Sequence, residues 1–81
     1  MDNENFIKEA KNRLFNYLYP NKQNQKANVE NMFVAWLSKA GGNNKCLIGL
    51  TDSNDYFEIT YIGNENTFVL DHYMLKNHKY I

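Results

Sequence analysis

Tyr56-Phe57-Glu58-Ile59-Thr60-Tyr61-Ile62, closed by Gly63-Asn64-Glu65-Asn66, is the stretch that decides the fold. Side chains on a strand point alternately to opposite faces, so Phe57, Ile59 and Tyr61 share an inward face while Glu58 and Thr60 point outward beside Tyr56. The Gly/Asn cluster that follows is turn chemistry, and Thr67 to at least Asp71 reads as the next strand. Upstream, Asp52-Ser53-Asn54-Asp55 is another turn, and Lys45 to Thr51 alternates Cys46, Ile48 and Leu50 against Leu47, Gly49 and Thr51. Gly41-Gly42-Asn43-Asn44 signals a hairpin. Before it, Asn31 to Lys39 sets Met32, Val34 and Trp36 on one face and Phe33, Ala35 and Leu37 on the other. Apolar residues on both faces predict a central strand covered on two sides.

The period changes toward the N-terminus. Phe6, Ile7, Ala10, Leu14, Tyr17 and Leu18 recur at three- and four-residue spacing, which predicts an amphipathic helix over residues 5–19. Asp2, Asn3 or Asn5 can cap its start, and Pro20 stops it by removing an amide donor and restricting Tyr19. Residues 21–28 are a polar connection without periodicity. At the other end, Asp71 is placed to cap a short helical turn over His72 to Asn77, although a longer strand fits as well. The expectation is an α+β fold in one domain, residues 1–81: an N-terminal helix packed on one face of a four-stranded antiparallel meander. The other face keeps aromatic and aliphatic side chains for a ligand, a partner or a second copy.

Composition narrows the function. Eighty-one residues make one small domain that leaves much apolar surface uncovered, so self-association is expected. A 43% hydrophobic and 15% aromatic content predicts folding rather than disorder. Nine Lys plus Arg balance nine Asp plus Glu. That balance argues against a sequence-independent nucleic-acid binder, which needs surplus cations, and against an acidic mimic of DNA. A lone Cys46 makes no intramolecular disulfide and suits a reducing compartment. The polar, acidic start is unlike a signal peptide, and no run nears the ~20 apolar residues of a membrane span, so a cytoplasmic protein is expected. Fourteen scattered Asn residues fit an A/T-rich genome better than a prion-like tract.

Candidate chemistry is sparse. His72, His78 and Cys46 do not have metal-ligand spacing, and the histidines read as surface residues near the C-terminus. Asp71 and His72, adjacent on a strand, point to opposite faces and form no dyad. Cys46 reads as a small buried hydrophobe, and Ser38 and Ser53 lack a histidine partner. No metal site, cofactor or enzymatic activity is expected. Lys39 and Lys45 flank the glycine hairpin, whose amides and ammonium groups can cradle a phosphate or carboxylate; a solvated hairpin tip is the plainer reading. Phe33 and Phe57 read as core. Trp36, Tyr56 and Tyr73 are candidates for base stacking or for an interface.

Five segments run in an order that resembles a known family. They are Phe6-Ile7-Lys8-Glu9-Ala10-Lys11, Val34-Ala35-Trp36-Leu37-Ser38-Lys39, Asn44-Lys45-Cys46-Leu47, Tyr56-Phe57-Glu58-Ile59-Thr60-Tyr61-Ile62-Gly63 and Leu70-Asp71-His72-Tyr73. They resemble small phage and prophage proteins of low-GC Gram-positive bacteria, a domain of unknown function. Leu37-Ser38-Lys39-Ala40-Gly41 departs from the Ser-Cys-Lys stretch usual in that family, and the C-terminal tail differs. The resemblance implies a phage accessory protein in the host cytoplasm. The expectation is anti-defence by stoichiometric binding, leaning to a homo-oligomer that sequesters a small nucleotide-derived immune signal. Trp36, Tyr56 and Tyr73 would stack, Lys39 and Lys45 would hold phosphate, and Glu58 and Asp71 would read base or ribose donors. The alternatives are a protein–protein inhibitor of a host defence or metabolic protein, CRISPR-type effectors included, and a structural or regulatory phage protein.

Overall fold

The chain enters its helix at Asp2, whose carboxylate accepts from the Asn5 amide at 2.8 Å and from the Asn5 side chain at 3.0 Å. An N-cap of this kind satisfies a donor that the first turn leaves orphaned. In the computed structural model, which describes residues 1–21 and 29–81, helix α1 spans Asn3–Leu18. The polar connection expected over residues 21–28 lies, apart from Asn21, outside the described residues. Phe6, Ala10, Leu14 and Phe15 are fully buried, with Ile7 and Leu18 packed at the margin. Tyr17, expected in the buried stripe, is half exposed, and Phe15 takes its place in the core. The helix ends as the Tyr19 amide bonds the Phe15 carbonyl at 2.8 Å, with Pro20 next in the chain.

Four antiparallel strands follow: β1 (Met32–Ala40), β2 (Asn43–Leu50), β3 (Tyr56–Ile62) and β4 (Thr67–Tyr73), in the spatial order β1-β2-β3-β4. The architecture is α+β, one helix laid on a four-stranded meander. The Gly41-Gly42 turn, with Gly41 at φ 60°, joins β1 to β2 directly, so Ala40, Asn43 and Asn44 belong to the ladder and the hairpin turn is shorter than the Gly41–Asn44 stretch expected. Between β3 and β4 a short 3-10 turn, Gly63–Glu65, ends at Asn66 in the left-handed region. Helix α1 lies over β2 and β3, where Cys46, Ile48, Phe57 and Ile59 complete the core, joined by Met32 at its margin. Burial of each large side chain of this kind contributes roughly 1.5–3 kcal/mol.

Three expectations are corrected. Strand β1 is an edge strand, covered on one side only near Met32 and Val34, rather than a central strand. Its register shifts between Val34 and Trp36, so Ala35 is an extra residue. A bulge of this kind reverses which face later residues occupy. Met32 and Val34 therefore face the helix with Leu37 and Lys39, while Trp36 joins Phe33 and Ser38 on the opposite face. The helical turn expected from His72 is absent: β4 runs on through His72 and Tyr73, paired with Phe57 and Tyr56, and residues 74–81 have no regular structure. A single isolated turn fixes several dihedrals for one hydrogen bond, whereas continuing the ladder uses a template already formed.

Candidate functional site

The face of the sheet away from α1 carries a grid that can be read directly from the register. One row runs Phe33, Gly49, Tyr56, Tyr73; the next runs Trp36, Leu47, Glu58, Asp71; a third runs Ser38, Lys45, Thr60, Val69. Phe33 (39% exposed), Trp36 (40%), Tyr56 (39%) and Tyr73 (52%) are large rings left half in solvent on this face. The Phe33 ring lies where a Cβ on Gly49 would stand, and it meets Tyr56 edge-on at 6.2 Å. Glycine at this position is what lets the ring lie down on the sheet.

The charges of the face are arranged less evenly than its rings. Lys45 Nζ is 3.3 Å from Glu58 Oε1, and Glu58 is directly opposite Asp71 on the neighbouring strand. Two carboxylates on facing positions repel each other, and Lys45 offsets one of them. Among the described strand residues, the face thus presents one ammonium group against two carboxylates. Lys39 pairs with Asn44 and projects to the helix side, so the Ala35 bulge separates the two lysines expected to act together. The sheet therefore brings Trp36, Lys45, Tyr56, Glu58, Asp71 and Tyr73 to one surface and leaves Lys39 out.

Sequence reading misses two features here. Phe33, read as core, is part of the exposed aromatic row; the signal was Gly49, a strand glycine that marks a close approach. The second is a polar chain on the helix side. His72 Nε2 is 2.8 Å from Asp55 Oδ2, and His72 Nδ1 is 3.0 Å from the Tyr17 hydroxyl. In the neutral tautomer that carries its hydrogen on Nε2 toward Asp55, Nδ1 accepts from the Tyr17 hydroxyl. The imidazole also packs against Phe57 at 4.4 Å between centroids, tilted by 37°. His72 is at the surface, as its sequence position suggests, but its ring is partnered on three sides, by Tyr17, Asp55 and Phe57. Its place in the alternation Phe68, Leu70, His72 was the available clue. His78 meets only the Tyr80 ring in the exposed tail among the described residues.

Two of the nucleophile candidates, Cys46 and Ser53, are already engaged. Cys46 is fully buried, and burial pushes its thiol up to about 11, the opposite of activation. Ser53 Oγ accepts from the Asp55 amide at 3.1 Å, which shapes the β2–β3 turn. Among the described residues, no helix is long and apolar enough to cross a membrane.

A family model matches residues 7–81, nearly the whole chain, and the protein belongs to that family, a family of unknown function (DUF6275). No curated protein and no solved structure matches it.

Proposed function

We propose that this member of the family acts by stoichiometric, non-enzymatic binding through the open face of its sheet, as a phage-encoded accessory protein directed against host defence. The observation that carries this reading is the shared face of Trp36, Tyr56, Tyr73, Lys45, Glu58 and Asp71, uncovered by the helix, with its three rings half exposed. Tyr and Trp combine large apolar area with a polar tip, and few side-chain torsions are lost when they are fixed in an interface. The charge balance favours a protein partner. One ammonium against two carboxylates suits a surface that brings Arg or Lys side chains, while a phosphorylated ligand meets net negative charge.

A second reading, sequestration of a nucleotide-derived immune signal by a homo-oligomer, draws on the aromatic row Phe33, Tyr56, Tyr73 with Trp36 beside it. Rings on a sheet face are a stacking platform for bases, and Lys45 is a cation on the same face for phosphate. Lys39 has no part in this site.

Native mass spectrometry combined with affinity capture tests both readings. The wild-type protein and the charge-reversed variant Glu58→Lys plus Asp71→Lys are immobilised side by side in host lysate. The protein-partner reading expects a host protein retained at a fixed ratio by the wild type and lost from the variant. Equal retention by both overturns it. The nucleotide reading expects a discrete added mass per site with cyclic or ADP-ribose-type nucleotides, abolished by Trp36→Ala with Tyr56→Ala. No added mass overturns that.

A further inference from the structure

On the opposite side of the sheet, between α1 and the outer strand β4, is a concavity of about 170 Å³ lined by Arg13, Tyr17, Ile59, Phe68, Val69 and Leu70. Its volume is that of roughly five or six water molecules, the size of a short-chain or single-ring organic molecule. The walls are apolar except at the rim. There Arg13 and Tyr17, one helical turn apart, project side by side from α1. The Arg13 guanidinium carbon sits 4.0 Å from the centre of the Phe68 ring, and its Nε donates to Glu9 at 3.2 Å. That contact fixes the fork at the mouth of the groove, and a guanidinium has five N–H donors to share. Tyr17 is fixed independently, by the chain through His72 to Asp55. In the tautomer with Nε2–H toward Asp55 its proton points to His72, and its oxygen keeps lone pairs for an incoming donor.

We infer that this groove binds a small monoanionic organic acid, an apolar body with one carboxylate. The apolar part fills the space beside Ile59 and Leu70, the carboxylate takes the Arg13 fork, and a hydroxyl or amide N–H on the ligand donates to Tyr17. Charge selects against a phosphate ester, because Glu9 already offsets part of the single guanidinium and a dianion would be under-compensated. The site lies across the sheet from the open face, so it stands or falls separately from the binding proposed there.

The test is a ¹H–¹⁵N titration of the full-length protein with 3-phenylpropionate, using the neutral 3-phenylpropanol as control. Saturable shifts are expected at Arg13, Tyr17, Phe68 to Leu70 and His72, with the Trp36 indole unmoved. The alcohol is expected to bind roughly tenfold more weakly, and Arg13→Gln to weaken the acid by a similar factor. Arg13→Lys replaces that variant should Arg13→Gln disturb the spectrum outside the groove; it keeps the charge, loses the fork and is still expected to bind several-fold more weakly than wild type. The assignment is overturned by an absence of saturable shifts up to about 20 mM acid, a range that reaches millimolar binding. Shifts centred on the open face, or undiminished binding by the Arg13 variants, overturn it equally.

Discussion

The two faces of this sheet are made of similar residues and have opposite energetics. Under the helix, Cys46, Ile48, Phe57 and Ile59 are sealed against Phe6, Leu14 and Phe15. Across the sheet, Phe33, Trp36 and Tyr56 are held on strands just as regular, yet stay half in water. A side chain on the first face stabilises the fold by leaving solvent, and that contribution is already realised. A side chain on the second has most of that gain still to make, and only a partner can supply it. Apolar content alone does not distinguish core from interface; what covers the face does.

The comparison can be broken most directly by truncation on each side. Phe57→Ala is expected to destabilise the protein by about 3–5 kcal/mol, and Trp36→Ala by less than ~1 kcal/mol, read as urea midpoints at unchanged slope. Equal losses would mean that the open face is core after all.

The pH dependence sharpens the buried side. The Cys46 thiol titrates near 9 in the unfolded chain and is pushed up to about 11 by burial. Folding therefore favours the protonated thiol. Its contribution, on the order of 2 kcal/mol, is fully present below pH 9 and is lost as pH rises toward 11. The stability difference between wild type and Cys46→Ala, followed from pH 7 to pH 11, should shrink over that window. A difference that stays constant contradicts the burial. A thiol reagent at pH 8 should modify Cys46 only after unfolding.

Smaller effects belong to the open face. Gly49→Ala puts a methyl group where the Phe33 ring lies, so the ring must swing off Tyr56. The expected cost is about 1 kcal/mol, with loss of the Phe33–Tyr56 contact in NOE spectra. Lys45→Ala removes an exposed ion pair and should move stability by less than ~1 kcal/mol while leaving Glu58 unscreened against Asp71. If Lys45→Ala costs as much as Phe57→Ala, the face is not the lightly stabilised surface described above.

Helix and strands were legible because each repeats a period over many residues: the three-to-four spacing from Phe6 to Leu18, and the strict alternation from Tyr56 to Ile62. Periodicity also gave the outward direction of Tyr56 and Glu58. It failed at Ala35, because one inserted residue reverses every later position and leaves no trace in a strand apolar on both sides. Lys39 and Trp36 exchanged faces for that reason alone. The chain Asp55–His72–Tyr17 was illegible for a different reason. Its members are 17 and 55 residues apart, and no local pattern encodes a meeting that only the packing of α1 on β4 produces.

The bulge at Ala35 also limits how the molecule can grow. An open meander has two unpaired borders, and two smooth borders would allow copies to add end to end without limit. Here one border, β1, is kinked in mid-strand, and the other, β4, is regular from Thr67 to Tyr73. A molecule with one smooth border can be joined by one neighbour of its own kind, border to border, and the joined pair then offers kinked borders at both ends. Among the described residues, the bulge at Ala35 makes the β1 border a poorer template for an added strand than β4, and so works against open-ended growth.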